Sequence, residues 1–70
     1  MRFSRHSKNR IRKAGLTQQE VKLAYLSHER VGTDSAGNPI AEIRVGTKLL
    51  HLVVALDDPG FVITLIEKRK

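Results

Sequence analysis

Few side chains in this 70-residue chain can do chemistry, and they cluster by type. The stretch RFSRHSKNRIRK, residues 2–13, carries Arg2, Arg5, Lys8, Arg10, Arg12 and Lys13 around His6, without an acid. Guanidinium forks and lysine ammonium groups at this density suit phosphate oxygens, so all six cations are candidate nucleic-acid contacts. An imidazole among them is a candidate general base toward a ribose 2′-OH. The plainer reading of the stretch is a solvated helix face, and of His6 an exposed or capping histidine. The first of these is weakened because acids are missing, so the stretch has no internal i,i+4 ion pairs. A second group lies far along the chain. If Gly46-Thr47 is a two-residue turn with glycine first, Glu42 stands opposite His51. That carboxylate–imidazole pair is a candidate general acid, or simply a cross-strand structural pair. Thr64 can orient a phosphate through its hydroxyl, or is merely a residue that favours strands. Together, His6, Arg10, His51 and Thr64 are the candidate catalytic set for metal-independent cleavage of RNA. His28, at the end of a predicted helix, reads as structural. Histidines at 6, 28 and 51, with no cysteine, do not have metal-ligand spacing, and no cofactor loop is found.

The elements that must position these groups are legible from spacing. Ser4 can cap a helix over 4–14, and Gly15 can end it with the left-handed conformation glycine allows. Thr17-Gln18-Gln19-Glu20 is a capping box, opening a second helix from Gln18 to about Ser27 with Val21, Ala24 and Tyr25 on one side. From Glu29 the period falls to two. Strands are predicted over 30–33, 40–45, 49–56 and 61–67, with turns at 34–39, 46–47 and 57–60. The expected fold is α+β, ααββββ: a helical hairpin on one face of a four-stranded antiparallel sheet, forming a single domain over residues 1–70. The turns pair Ile43 with Leu50, Ala41 with Leu52, Leu52 with Leu65, Val54 with Ile63 and Leu56 with Phe61. One face then holds Ala41, Ile43, Leu50, Leu52, Val54, Leu56, Phe61, Ile63 and Leu65 as the core. The other mixes Glu42, Arg44, His51 and Thr64 with Ile40, Val53, Val62 and Ile66, as a partner-binding face would.

Composition narrows the classes. A net charge of +6 and a pI near 10.4 favour an anionic partner. Aromatic residues are limited to Phe3, Tyr25 and Phe61, too few for a multi-base stacking platform. Without cysteine there are no disulfides. No apolar run reaches the length of a membrane span, and the first residues lack a signal-peptide pattern, so a cytoplasmic protein with no membrane partner is expected.

Ser4-Arg5-His6, Arg10-Ile11, Lys13-Ala14-Gly15-Leu16-Thr17 and Glu20-Val21, with Gly37-Asn38-Pro39 and Val62-Ile63-Thr64 further on, resemble the pattern of a small prokaryotic domain family of unknown function. In that family a Ser/Thr-x-His start leads into an Arg-rich helix. It is grouped by fold with RelE/ParE-like and BrnT-like toxins. The resemblance implies a RelE-like fold, and a toxin-type endoribonuclease working without metal on RNA. His6, Arg10 and Thr64 stand at family positions; Lys13 replaces the more usual Arg and loses its bidentate fork. An acidic antitoxin-like protein is an implied partner. The residues themselves leave catalysis open. The alternatives are a non-catalytic module for nucleic acid or an acidic protein, and a structural relative that self-associates, for instance as a homodimer through the exposed sheet face.

Overall fold

The computed structural model describes residues 1–68. The chain is α+β, in the order β1 (Arg2–Phe3), α1 (Arg5–Lys13), α2 (Gln18–Tyr25), β2 (Glu29–Thr33), β3 (Pro39–Val45), β4 (Lys48–Ala55) and β5 (Asp58–Lys68). The strands form one five-stranded mixed sheet in the order β1-β5-β4-β3-β2. This corrects the expected four-stranded antiparallel sheet. The extra strand is Arg2–Phe3, which pairs parallel to Phe61 and Val62 before the chain turns into α1. Two residues carry no periodic signal, so only tertiary pairing reveals them.

Both helices end as their sequences dictate. The Ser4 hydroxyl accepts from the Ser7 amide and caps α1. At the other end Gly15, at φ +74°, lets its own N–H reach the Arg12 carbonyl and the Leu16 N–H reach that of Ile11. The Lys48 ammonium adds a hydrogen bond to the Ala14 carbonyl. Thr17 and Glu20 close the capping box on α2, whose helix stops at Tyr25. The helices lie side by side more than they pack together. α1 sits over β5 and α2 over β3, so the expected hairpin is held chiefly by the sheet beneath it.

The core joins Phe3, Ile11 and Val21 to Ala41, Ile43, Leu50, Leu52, Val62 and Leu65. The β3–β4 register matches the predicted one: Ile43 faces Leu50, Ala41 faces Leu52 and Glu42 faces His51. The second hairpin does not. Leu56-Asp57 makes the turn, Asp58 already pairs with Ala55, and register shifts on either side of Val54 bring Val62 opposite it. Thr64 keeps Val53 as partner, and Leu65 keeps Leu52. The bulge at Ile63 therefore turns Val62 from the predicted outer face into the core, where it is fully buried. Leu56, expected inside, is 63% exposed, and Phe61 and Ile63 are only partly covered. Among the described residues no helix is long and apolar enough to cross a membrane.

Candidate nucleic-acid interface

α1 is built to present its polar side. Only Ser7 and Ile11 of the helix are buried, and Arg5, His6, Lys8, Asn9, Arg10, Arg12 and Lys13 are all exposed. Ile11 enters the core. Ser7, the buried polar residue beside it, joins α1 to β5: its hydroxyl lies 2.9 Å from the Ser4 carbonyl and 3.2 Å from that of Val62. The Ser4 amide also donates to the Val62 carbonyl, at 3.0 Å, and the Ser4 hydroxyl to that of Ile63. The serines thus use carbonyls of the bulged part of β5, and the basic helix cannot roll on the sheet without breaking them.

The five exposed cations and His6 divide between the two flanks of the helix. Arg5, Lys8 and Arg12 follow i, i+3, i+7 spacing and face α2. They line an open cleft of about 460 Å³ whose remaining walls are Asn9, Ile11, Leu16, Thr17 and Gln18. His6, Arg10 and Lys13 follow i, i+4, i+7 on the opposite flank. Arg10 and Lys13 line a smaller cleft of about 150 Å³ with Ala14, Leu65 and Glu67. Asn9 lies between the rows, and its side-chain oxygen accepts from the Arg12 guanidinium at 3.0 Å. Among the described residues, no carboxylate forms an ion pair with Arg5, Lys8, Arg10, Arg12 or Lys13.

Arg2 differs from the other five. It is ion-paired with Asp58, and its guanidinium carbon stands 5.6 Å from the Phe61 ring centroid. It serves the β1–β5 junction, and unlike the five cations of α1 it already has a carboxylate partner.

The candidate catalytic set is split by the sheet. His51 alternates with Leu50 and Leu52, which are buried under the helices, so its imidazole stands on the far face. There its Nε2 lies 2.9 Å from the Glu42 carboxylate, as expected from the turn. Thr64, opposite Val53, is a diagonal neighbour of His51 on that same face. His6 and Arg10 belong to α1, on the near side. The structure brings His51 together with Thr64, and His6 with Arg10, but the two pairs do not share a surface. His28 stacks on Tyr25 with ring centroids 4.0 Å apart, and its Nδ1 lies 2.7 Å from the Tyr25 carbonyl, so its role is structural.

Sequence reasoning did not single out Asn9 or Ser7. The signal for Ser7 was its place at i−4 from Ile11, the buried position of the next turn. That for Asn9 was its place diametrically across the helix from that stripe. Comparison with protein-family models, with curated proteins and with solved structures gave no match.

Proposed function

We propose that this chain is a nucleic-acid-binding module that grips phosphates with the outer surface of α1. The observation that carries the reading is the set of five exposed helix cations without an ion-pair partner among the described residues. A stable surface helix ordinarily intersperses acids to offset its own repulsion. Here the repulsion is left in place, on a helix locked to the sheet by Ser4, Ser7 and Ile11. The arrangement gains most from polyanion binding, where each neutralised phosphate releases counterions. The motif that resembles the RelE-like group lies mainly on this same helix, and a distant relationship to that group is part of the proposal.

Endoribonuclease action by His6 and His51 together is the weaker reading. A base and an acid for one phosphodiester must both reach it, and here the sheet stands between them. A metal-free cleavage assay of total RNA, with chelator present, tests it directly. Cleavage lost in His6→Ala would restore the nuclease reading with His6 acting beside Arg10.

The binding reading is tested by fluorescence anisotropy with labelled nucleic acid over a salt series. Up to five phosphate contacts give a log–log slope reaching about −3.5 on a single strand and about −4.5 on a B-form duplex. A Lys8→Gln/Arg12→Gln variant should bind more weakly with a shallower slope. No binding at low salt by folded protein, or a slope near zero, overturns the proposal.

A further inference from the structure

The geometry points to duplex DNA as the ligand, with α1 lying in the major groove and Asn9 facing the base edges. This rests on the phosphate-binding reading above and makes it specific.

Three observations select the duplex. The first is the two-row layout. Arg5, Lys8 and Arg12 run along one flank of α1, and His6, Arg10 and Lys13 along the other. A helix with side chains is about 10–12 Å across, which is close to the ~12 Å width of the B-form major groove. Cations on both flanks therefore meet phosphates on both groove walls, whereas one strand would need a single row. Nine residues extend for about 13.5 Å along the axis. At about 3.4 Å per base pair that length passes roughly four pairs.

The second observation concerns the aromatics. Sequence-tolerant binding of single strands depends on rings that stack with bases. Here Phe3 is in the core, Tyr25 is stacked on His28, and Phe61 lies under Arg2. None stands on the exposed surface of α1. Duplex RNA fits no better, because its deep, narrow major groove does not admit a helix.

The third is Asn9. It lies opposite the buried Ser7–Ile11 stripe, at the crest of the helix, and is the neutral polar residue between the two cationic rows. A carboxamide at that point can accept from adenine N6 and donate to N7. Its oxygen is already held by the Arg12 guanidinium, so the group is partly oriented before any base arrives. A phosphate-facing arginine and a base-facing asparagine would then act as one unit.

The experiment compares equilibrium binding of the full chain to duplex DNA, duplex RNA and both single strands of one 16-nucleotide sequence. A randomised duplex pool is then selected with wild type and with Asn9→Ala. Expected are a preference of about tenfold or more for duplex DNA, and enrichment of a short adenine-containing motif that Asn9→Ala fails to enrich. Neutralising either row, as Lys8→Gln/Arg12→Gln or Arg10→Gln/Lys13→Gln, should make the duplex salt slope shallower by about 1.8. Asn9→Ala removes no cation itself, so it should change that slope by no more than one contact, about 0.9. Equal affinity for single strands and duplex, or dependence on one row alone, overturns the groove assignment while the phosphate-binding reading stands. A motif enriched equally by Asn9→Ala overturns the role of Asn9. Failure to bind any of the four nucleic acids overturns both readings.

Discussion

Replacing Ser7 by alanine tests how the basic helix is fixed to the sheet. Ser7 is fully buried, and its one hydroxyl proton serves carbonyls 2.9 and 3.2 Å away, those of Ser4 and Val62. Neither carbonyl is orphaned by the change. The Ser4 carbonyl still accepts from the Lys8 amide at 3.0 Å, and that of Val62 from the Ser4 amide at 3.0 Å. The expected cost is therefore that of one net hydrogen bond, about 1 kcal/mol, and not the ~1–3 kcal/mol of an unsatisfied buried group. In a domain of this size about 1 kcal/mol lowers Tm by about 4–8 °C. Ser7→Val keeps the backbone but adds bulk where the space is closed, and should cost about 1–3 kcal/mol by overpacking. Equilibrium urea unfolding, with the m-value held constant between variants, measures both. If Ser7→Ala is as stable as wild type, the hydroxyl does not fasten α1 to β5. If it loses more than about 3 kcal/mol, the two carbonyls depend on Ser7 far more than their remaining partners allow.

Three further outcomes follow from other parts of the fold. Gly15→Ala should destabilise by about 1–2 kcal/mol, because the residue sits at φ +74°. A Cβ there meets no atom within 4 Å, so the cost is conformational; chemical denaturation measures it, and a neutral result would show that the α1–α2 turn relaxes. His51→Ala should cost about 1.5–3 kcal/mol, the worth of a hydrogen bond to a charged group, because both partners are largely covered. It should also leave nucleic-acid affinity unchanged within about twofold, since His51 faces away from α1; a large loss in anisotropy would place the ligand on the wrong side of the sheet. Asp34 is held below the ordinary aspartate pKa, first by the Asn38 side chain, then by backbone N–H groups of Asn38, Ala36 and Gly37. A depressed folded value means its stabilisation is complete above the unfolded pKa and is lost as pH falls through the lower folded one. Acid unfolding of Asp34→Asn should accordingly lack that part of the pH dependence, and an unchanged acid profile would contradict the assignment.

Much of the local structure was determined by sequence alone. Ser4 and Gly15 bracket α1, Thr17 to Glu20 opens α2, and Gly46-Thr47 sets the register that puts Glu42 beside His51. These are short-range effects, in which a side chain or a positive φ satisfies backbone groups only a few residues away. The acid-free helix was equally plain, because charge needs no fold to be counted. Tertiary structure decided the rest. Asp57-Asp58-Pro59-Gly60 offers turn chemistry, yet Leu56-Asp57 makes the turn, and distant groups shift it there. Phe3 pairs with Val62, and Ser4 and Ser7 take the carbonyls of Val62 and Ile63, so the bulge falls there and Val62 turns inward. The same packing lays α1 on one face of the sheet and leaves His51 on the other. Periodicity shows which residues of one element share a side, but the face of the sheet that a helix covers depends on how the whole chain buries its apolar surface.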